Sequence, residues 1–148
     1  MKLKPFYICS ICLFLLLFGC TILRHSPNNL KREELVGYWF GVHKQSDIPG
    51  DIQEICHMKA DGGFNIRFRV VVDGKLIGEQ NESGYWQLDG NIKTVVTTHI
   101  NGRKLEEPKY YIDKYLIKNI TESEIVYEEI KSGIEFKDKR VNEGFDFP

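Results

Sequence analysis

Phe64, Ile66, Phe68 and Val70 alternate with Asn65, Arg67 and Arg69, and the run closes on Asp73-Gly74. A two-residue period puts the apolar side chains on one face and the polar ones on the other, the pattern of a strand half-buried in a sheet. Asp-Gly accepts the positive φ angles of a type I′ turn, so the chain doubles back there as a hairpin. From residue 35 onward the same pattern recurs. Strand candidates over 35–43, 52–59, 64–72, 76–88, 92–101, 109–120, 124–130 and 134–141 are separated by short turns rich in Gly, Asp, Asn and Ser. The segment 46–51, with Pro49 and Gly50, reads as one such turn, and Pro108 interrupts the chain near the start of the sixth candidate. Polar residues 79–83 interrupt the fourth candidate before Gly84, which predicts a bend or bulge. Helical periodicity is confined to a turn or two, best placed at 30–36, and the aromatic tail 141–148 has no period that assigns it.

Sequential antiparallel strands with one apolar face close most simply as an eight-stranded all-β barrel or a barrel-like sandwich. Eight strands enclose an interior that side chains fill or that holds one small ligand. A chain of 148 residues is a one-domain length. Its net charge of −1, with no basic cluster, gives no footprint for nucleic acid.

Ahead of the domain, Lys2 and Lys4 precede an apolar run over 6–18 broken only by Ser10, the order of an export signal. The uncleaved anchor is the alternative, because 6–23 carries no charge and reaches the lower limit for spanning hydrocarbon. Leu17-Phe18-Gly19-Cys20 resembles the lipobox of bacterial lipoproteins, with Leu at −3, a small residue at −1 and Cys at +1. Phe18 departs from the small residue more usual at −2. The resemblance implies diacylglycerol on the Cys20 thiol, cleavage before it and acylation of the new amino group. Several acyl chains hold a protein firmly at a membrane where one holds it marginally. The chain then divides into a signal peptide over 1–19, a lipidated cysteine and tether over 20–34, and a β domain over 35–148. Thr21, where Asp would resemble an inner-membrane retention signal, points to the outer membrane in a two-membrane cell envelope.

Gly37-Tyr38-Trp39, echoed by Gly84-Tyr85-Trp86, resembles the G-x-W on the first strand of the lipocalin-like β-barrels, in particular the small bacterial lipocalin-like lipoproteins. Ile125-Val126-Tyr127 and the run from Phe136 to Arg140 also look like that group. The resemblance implies that Trp39 packs against a basic residue of the last strand, where Arg140 lies, and that a guanidinium stacked on an indole closes the barrel floor. Inside such a barrel the aromatic set Phe64, Phe68, Tyr85, Trp86, Tyr110 and Tyr115 reads as cavity walls for a small apolar or amphipathic ligand. The same aromatics serve equally as core filling. The competing function is a non-enzymatic interaction or inhibitor protein that contacts another envelope protein through strand edges or loops.

Chemistry is sparse. Of four cysteines, Cys9 and Cys12 lie in the leader and Cys20 ends it, so Cys56 has no partner for a disulfide and is expected in the core. Cys56 and His57 are neighbours on a strand and point to opposite faces, while His43 and His99 belong to other strands. The expectation is exposed histidines, no metal and no cofactor. Glu106-Glu107 and Glu128-Glu129 diverge in the same way and read as solvated edges, unlike a hydrolytic pair that converges on one bond. Arg67 and Arg69 read as a solvated face. No Gly-x-Ser-x-Gly elbow or cysteine–histidine arrangement supports a nucleophile, so an enzyme is not expected.

Overall fold

The computed structural model describes residues 30–45 and 48–148. One short helix, α1 (Arg32–Leu35), leads into β1 (Gly37–Gln45), β2 (Ile48–Met58), β3 (Gly63–Val72), β4 (Lys75–Asp89) and β5 (Ile92–Ile100). A two-residue strand, β6 (Arg103–Lys104), folds back on β5 and is followed by β7 (Ile112–Ile120), β8 (Glu124–Glu129) and β9 (Glu135–Val141). The pairings are all antiparallel. β4 bonds to β5 and β9 bonds to β1, so the sheet closes into an eight-stranded barrel with β6 as an extra strand. Asp73 and Gly74, with φ of 50° and 74°, form the expected hairpin, and Asn101-Gly102 repeats it with 48° and 75°.

The sequence reading and the structure differ most at β2, β4 and β7. β2 begins at Ile48 inside the segment expected to be a turn, because Gln45 pairs with Ile48 past an irregularity and a proline is tolerated at a strand's first residues. Polar residues 79–83 do not interrupt β4, whose backbone groups there pair with Asn65–Arg69 of β3 regardless of side-chain polarity. The expected irregularity before Gly84 is present, at Ser83/Gly84 where β4 meets β5, and a second shift lies at Val70/Val71 in the β3–β4 pairing. Pro108–Tyr110 forms a 3-10 turn, so β7 starts only at Ile112.

Residues opposite one another in an antiparallel pair share a face. Trp39, Cys56 and Ile66 therefore face inward together, as do Ile117 and Tyr127 across β7 and β8. The core gathers at one end, where Leu35, Trp39, Met58, Phe64, Trp86, Ile117 and Ile125 are buried together. Each indole N–H there is satisfied: Trp39 Nε1 donates to the Leu35 carbonyl at 2.8 Å and Trp86 Nε1 to that of Lys59 at 3.2 Å. The tail after β9 runs back over the outer face of the first three strands. Phe145 packs on Phe40 at 5.2 Å, and Phe147 lies under the guanidinium groups of Arg67 and Arg69 at 5.0 and 4.4 Å. Arg67 also pairs with Asp146 at 2.7 Å, so these arginines clamp the tail and do not form a bare solvated face.

Candidate functional site: the barrel interior

The floor is built from β1 and β9. Trp39 lies opposite Arg140, whose guanidinium sits 4.1 Å from the indole centroid. Arg140 Nη1 donates to the Val36 carbonyl at 2.7 Å, Nη2 to Glu34 at 2.6 Å and Nε to Glu122 at 2.9 Å. One planar cation thus satisfies the backbone entering β1 and the turn before β8 while covering the indole.

Above this floor lies a cavity of about 270 Å³, just below the range that ligand sites usually occupy and so suited to a small molecule. Its walls mix apolar and polar side chains. Met58, Phe64, Ile66, Phe68 and Val95 alternate with Glu54, Glu82, Lys93, Asp113, Tyr115, Tyr127, Glu129 and Asp138, so that Phe68 lies across from Glu54, Ile66 from Glu82 and Val95 from Asp113. Carboxylates outnumber cations in this lining, where Lys93 stands over the rings of Tyr115 and Tyr127 at 4.7 and 4.3 Å.

The densest polar cluster follows from register. Gly41 of β1 pairs with Glu54 of β2 on one side and with Asp138 of β9 on the other. His43, two residues along the same face, brings its Nε2 3.5 Å from Glu54 Oε1 and 3.4 Å from Asp138 Oδ1. A Cβ at position 41 would collide with both Asp138 Oδ1 and His43 Nε2, so only glycine leaves room for the group. The Tyr127 hydroxyl bridges the two carboxylates, 2.7 Å from Asp138 Oδ2 and 3.1 Å from Glu54 Oε1.

Burial sets the electrostatics. It pushes the Asp138 carboxyl up to about 7, reinforced by the Glu54 charge and opposed by Tyr127, His43 and Lys93. Burial would raise Glu54 too, but the imidazole beside it, Lys93 and the Tyr127 hydroxyl outweigh that and hold it below the ordinary carboxylate value. For His43, burial lowers the pKa, yet contact with Glu54 and the charge of Asp138 carry it above its usual value. Burial drives the Cys56 thiol to about 12, which leaves it unreactive as a nucleophile. Tyr127→Phe removes the bridging hydroxyl from two buried carboxylates. It is expected to lower unfolding free energy by about 1–3 kcal/mol in a denaturant titration.

Of the aromatics expected to line the cavity, Phe64, Phe68 and Tyr115 do so. Trp86 packs in the floor core below it. Tyr85, the neighbour of Trp86 on its strand, points outward and is 46% exposed, and Tyr110 in the 3-10 turn is 74% exposed. Neither can touch a ligand inside the barrel. The histidines divide: His57 stacks on Tyr38 at 4.0 Å on the face opposite Cys56, whereas the His43 side chain is only 7% exposed, against the expectation of an exposed imidazole. Glu129, read as a solvated edge, lines the cavity. Cys20 lies outside the described residues. The residues that sequence reasoning missed, Glu54, Lys93 and Asp138, carried a signal: each shares strand parity with apolar neighbours, as in Ile52-Glu54-Cys56, Lys93-Val95 and Phe136-Asp138. A charge on an otherwise apolar stripe marks a polar interior position. No protein-family model matches the chain, and no curated protein matches it by sequence.

Proposed function

We propose that the protein is a lipid-anchored envelope protein whose barrel binds a small amphipathic ligand. The mixed lining of the cavity carries this reading: Phe64, Ile66 and Phe68 stand among carboxylates, with Glu54 directly across from Phe68 and Glu82 from Ile66, above a floor sealed by Trp39 and Arg140. Such walls favour a ligand with a short apolar body and a head that donates hydrogen bonds or carries positive charge, because unpaired buried carboxylates are costly. Binding alone accounts for these groups, and no reaction is invoked. The lipobox resemblance at 17–20 supports the anchor, with the domain at the periplasmic face of the outer membrane where a cell has two.

Native mass spectrometry of the full chain, purified from its own cells, tests the binding. A reproducible extra mass that denaturation releases is the expected result; a bare mass, with no shift on adding amphipathic amines or amides, overturns it. The anchor is tested separately. Cys20→Ala is expected to move the protein from the membrane to the soluble fraction, and retention in the membrane would indicate an uncleaved hydrophobic segment.

A further inference from the structure

Among the described residues, two buried side-chain polar atoms lack hydrogen-bond partners, and they sit together: His43 Nε2 and Asp138 Oδ1. Buried polar atoms are nearly always paired, so two orphans 3.4 Å apart need a physical reason. An internal ion pair would have the imidazole N–H donate to one carboxylate oxygen. Instead Nε2 stands 3.4 and 3.5 Å from two of them, outside hydrogen-bond geometry to either.

We propose that His43 Nε2, Glu54 Oε1 and Asp138 Oδ1 form a binding site for a divalent transition-metal ion with the preferences of Zn²⁺. One ligand atom from each of His43, Glu54 and Asp138 lies within 4.8 Å of the other two. Ligands sharing one tetrahedral ion at bond lengths of about 2.0–2.2 Å lie roughly 3.3–3.6 Å apart, the spacing that Nε2 holds to both oxygens. One imidazole and two carboxylates suit zinc and its neighbours better than calcium, which takes six or more oxygens. The Tyr127 hydroxyl fixes both carboxylates, Asp138 through Oδ2, the oxygen that leaves Oδ1 free for the ion, and Glu54 through Oε1 itself, the outer-shell support that metal ligands commonly have. Gly41 leaves the space beside the ligand atoms free of a side chain. Three protein ligands leave a fourth position, and Glu54 and Asp138 border the cavity from which a ligand group or solvent can fill it. Lys93 on β5 opposes a cation, and Glu82, Asp113 and Glu129 on the cavity wall offset that charge. The site goes beyond the ligand reading and does not depend on it.

The test is a titration of the chelator-treated full chain with ZnCl₂, read by calorimetry and by competition with a chromophoric chelator. One Zn²⁺ per chain is expected. Glu54→Gln, which keeps nearly the same shape, and His43→Asn, which removes the Nε2 donor, are each expected to weaken binding at least tenfold, while His57→Ala leaves it unchanged. Melting curves check that each variant folds. Co²⁺ gives an independent readout in the unaltered protein, where intense visible absorption bands indicate four-coordination. No saturable Zn²⁺ binding by the unaltered protein overturns the proposal. So does binding that survives both His43→Asn and Glu54→Gln in folded protein. Because no organic ligand enters the titration, its failure leaves the ligand reading standing, and the converse holds as well.

Discussion

Trp39→Ala is expected to cost about 3–5 kcal/mol of unfolding free energy and to lower the melting temperature by roughly 10 °C or more. Trp39 is 3% exposed and lies at the centre of the buried floor cluster. Truncation leaves a void the rigid barrel cannot close, since β1 is held on both sides by β2 and β9. It also strips the apolar cover from Arg140, which stays fixed by its three backbone carbonyls. Trp39→Phe keeps most of the buried area but loses the N–H bond to the Leu35 carbonyl, so about 1–2 kcal/mol is expected there. Denaturant titrations of the two variants separate packing from hydrogen bonding. A melting curve for Trp39→Ala that overlays the unaltered protein would sink the account of the floor.

The contrast between floor and cavity explains what the sequence could disclose. Strand pattern and turn chemistry are local properties. The alternation over 64–72 and the Asp73-Gly74 and Asn101-Gly102 turns locate elements without any knowledge of partners, and eight such elements imply closure. The Trp39–Arg140 contact was legible because a short motif ties the first strand to the last. The polar cavity was not. Alternation identifies which residues share a face but assumes that the apolar face is the inner one throughout. That assumption holds at the Trp39 end and fails halfway up the barrel, where Glu54, Lys93 and Asp138 point inward. Only register brings Glu54 and Asp138 to either side of Gly41, and register over a separation as long as β1 to β9 is a tertiary property. For the same reason His43 reads as one isolated imidazole in the sequence and as part of a three-residue cluster in the fold.

Closure itself makes the second large prediction. Gly84 sits where β4 turns from pairing with β3 to completing the seam with β5, next to the irregularity at Ser83/Gly84. A Cβ there would collide with the Val96 carbonyl oxygen and come within 3.0 Å of both the Thr98 backbone nitrogen and Phe64 Cε1. Two of those three neighbours are backbone of the facing strand, which can yield only by opening the seam. Gly84→Ala is therefore expected to cost about 3 kcal/mol, the upper part of the range for overpacking. At Gly78, six residues earlier on the same strand, a Cβ would meet nothing within 4 Å, so Gly78→Ala is expected to stay within about 0.5 kcal/mol of the unaltered protein. The pair of variants controls for alanine's own preference in a strand. Hydrogen exchange adds the location: in Gly84→Ala, amides of the β4–β5 ladder lose protection first. An open sandwich could shear two edges apart and absorb a methyl group there at small cost. A closed barrel has no edge to move, so strain at Gly84 spreads around the ring and lowers the stability of the whole sheet in one transition. Equal melting temperatures for the two variants would mean that the β4–β5 seam gives way freely, and with it the rigid closure on which the cavity depends.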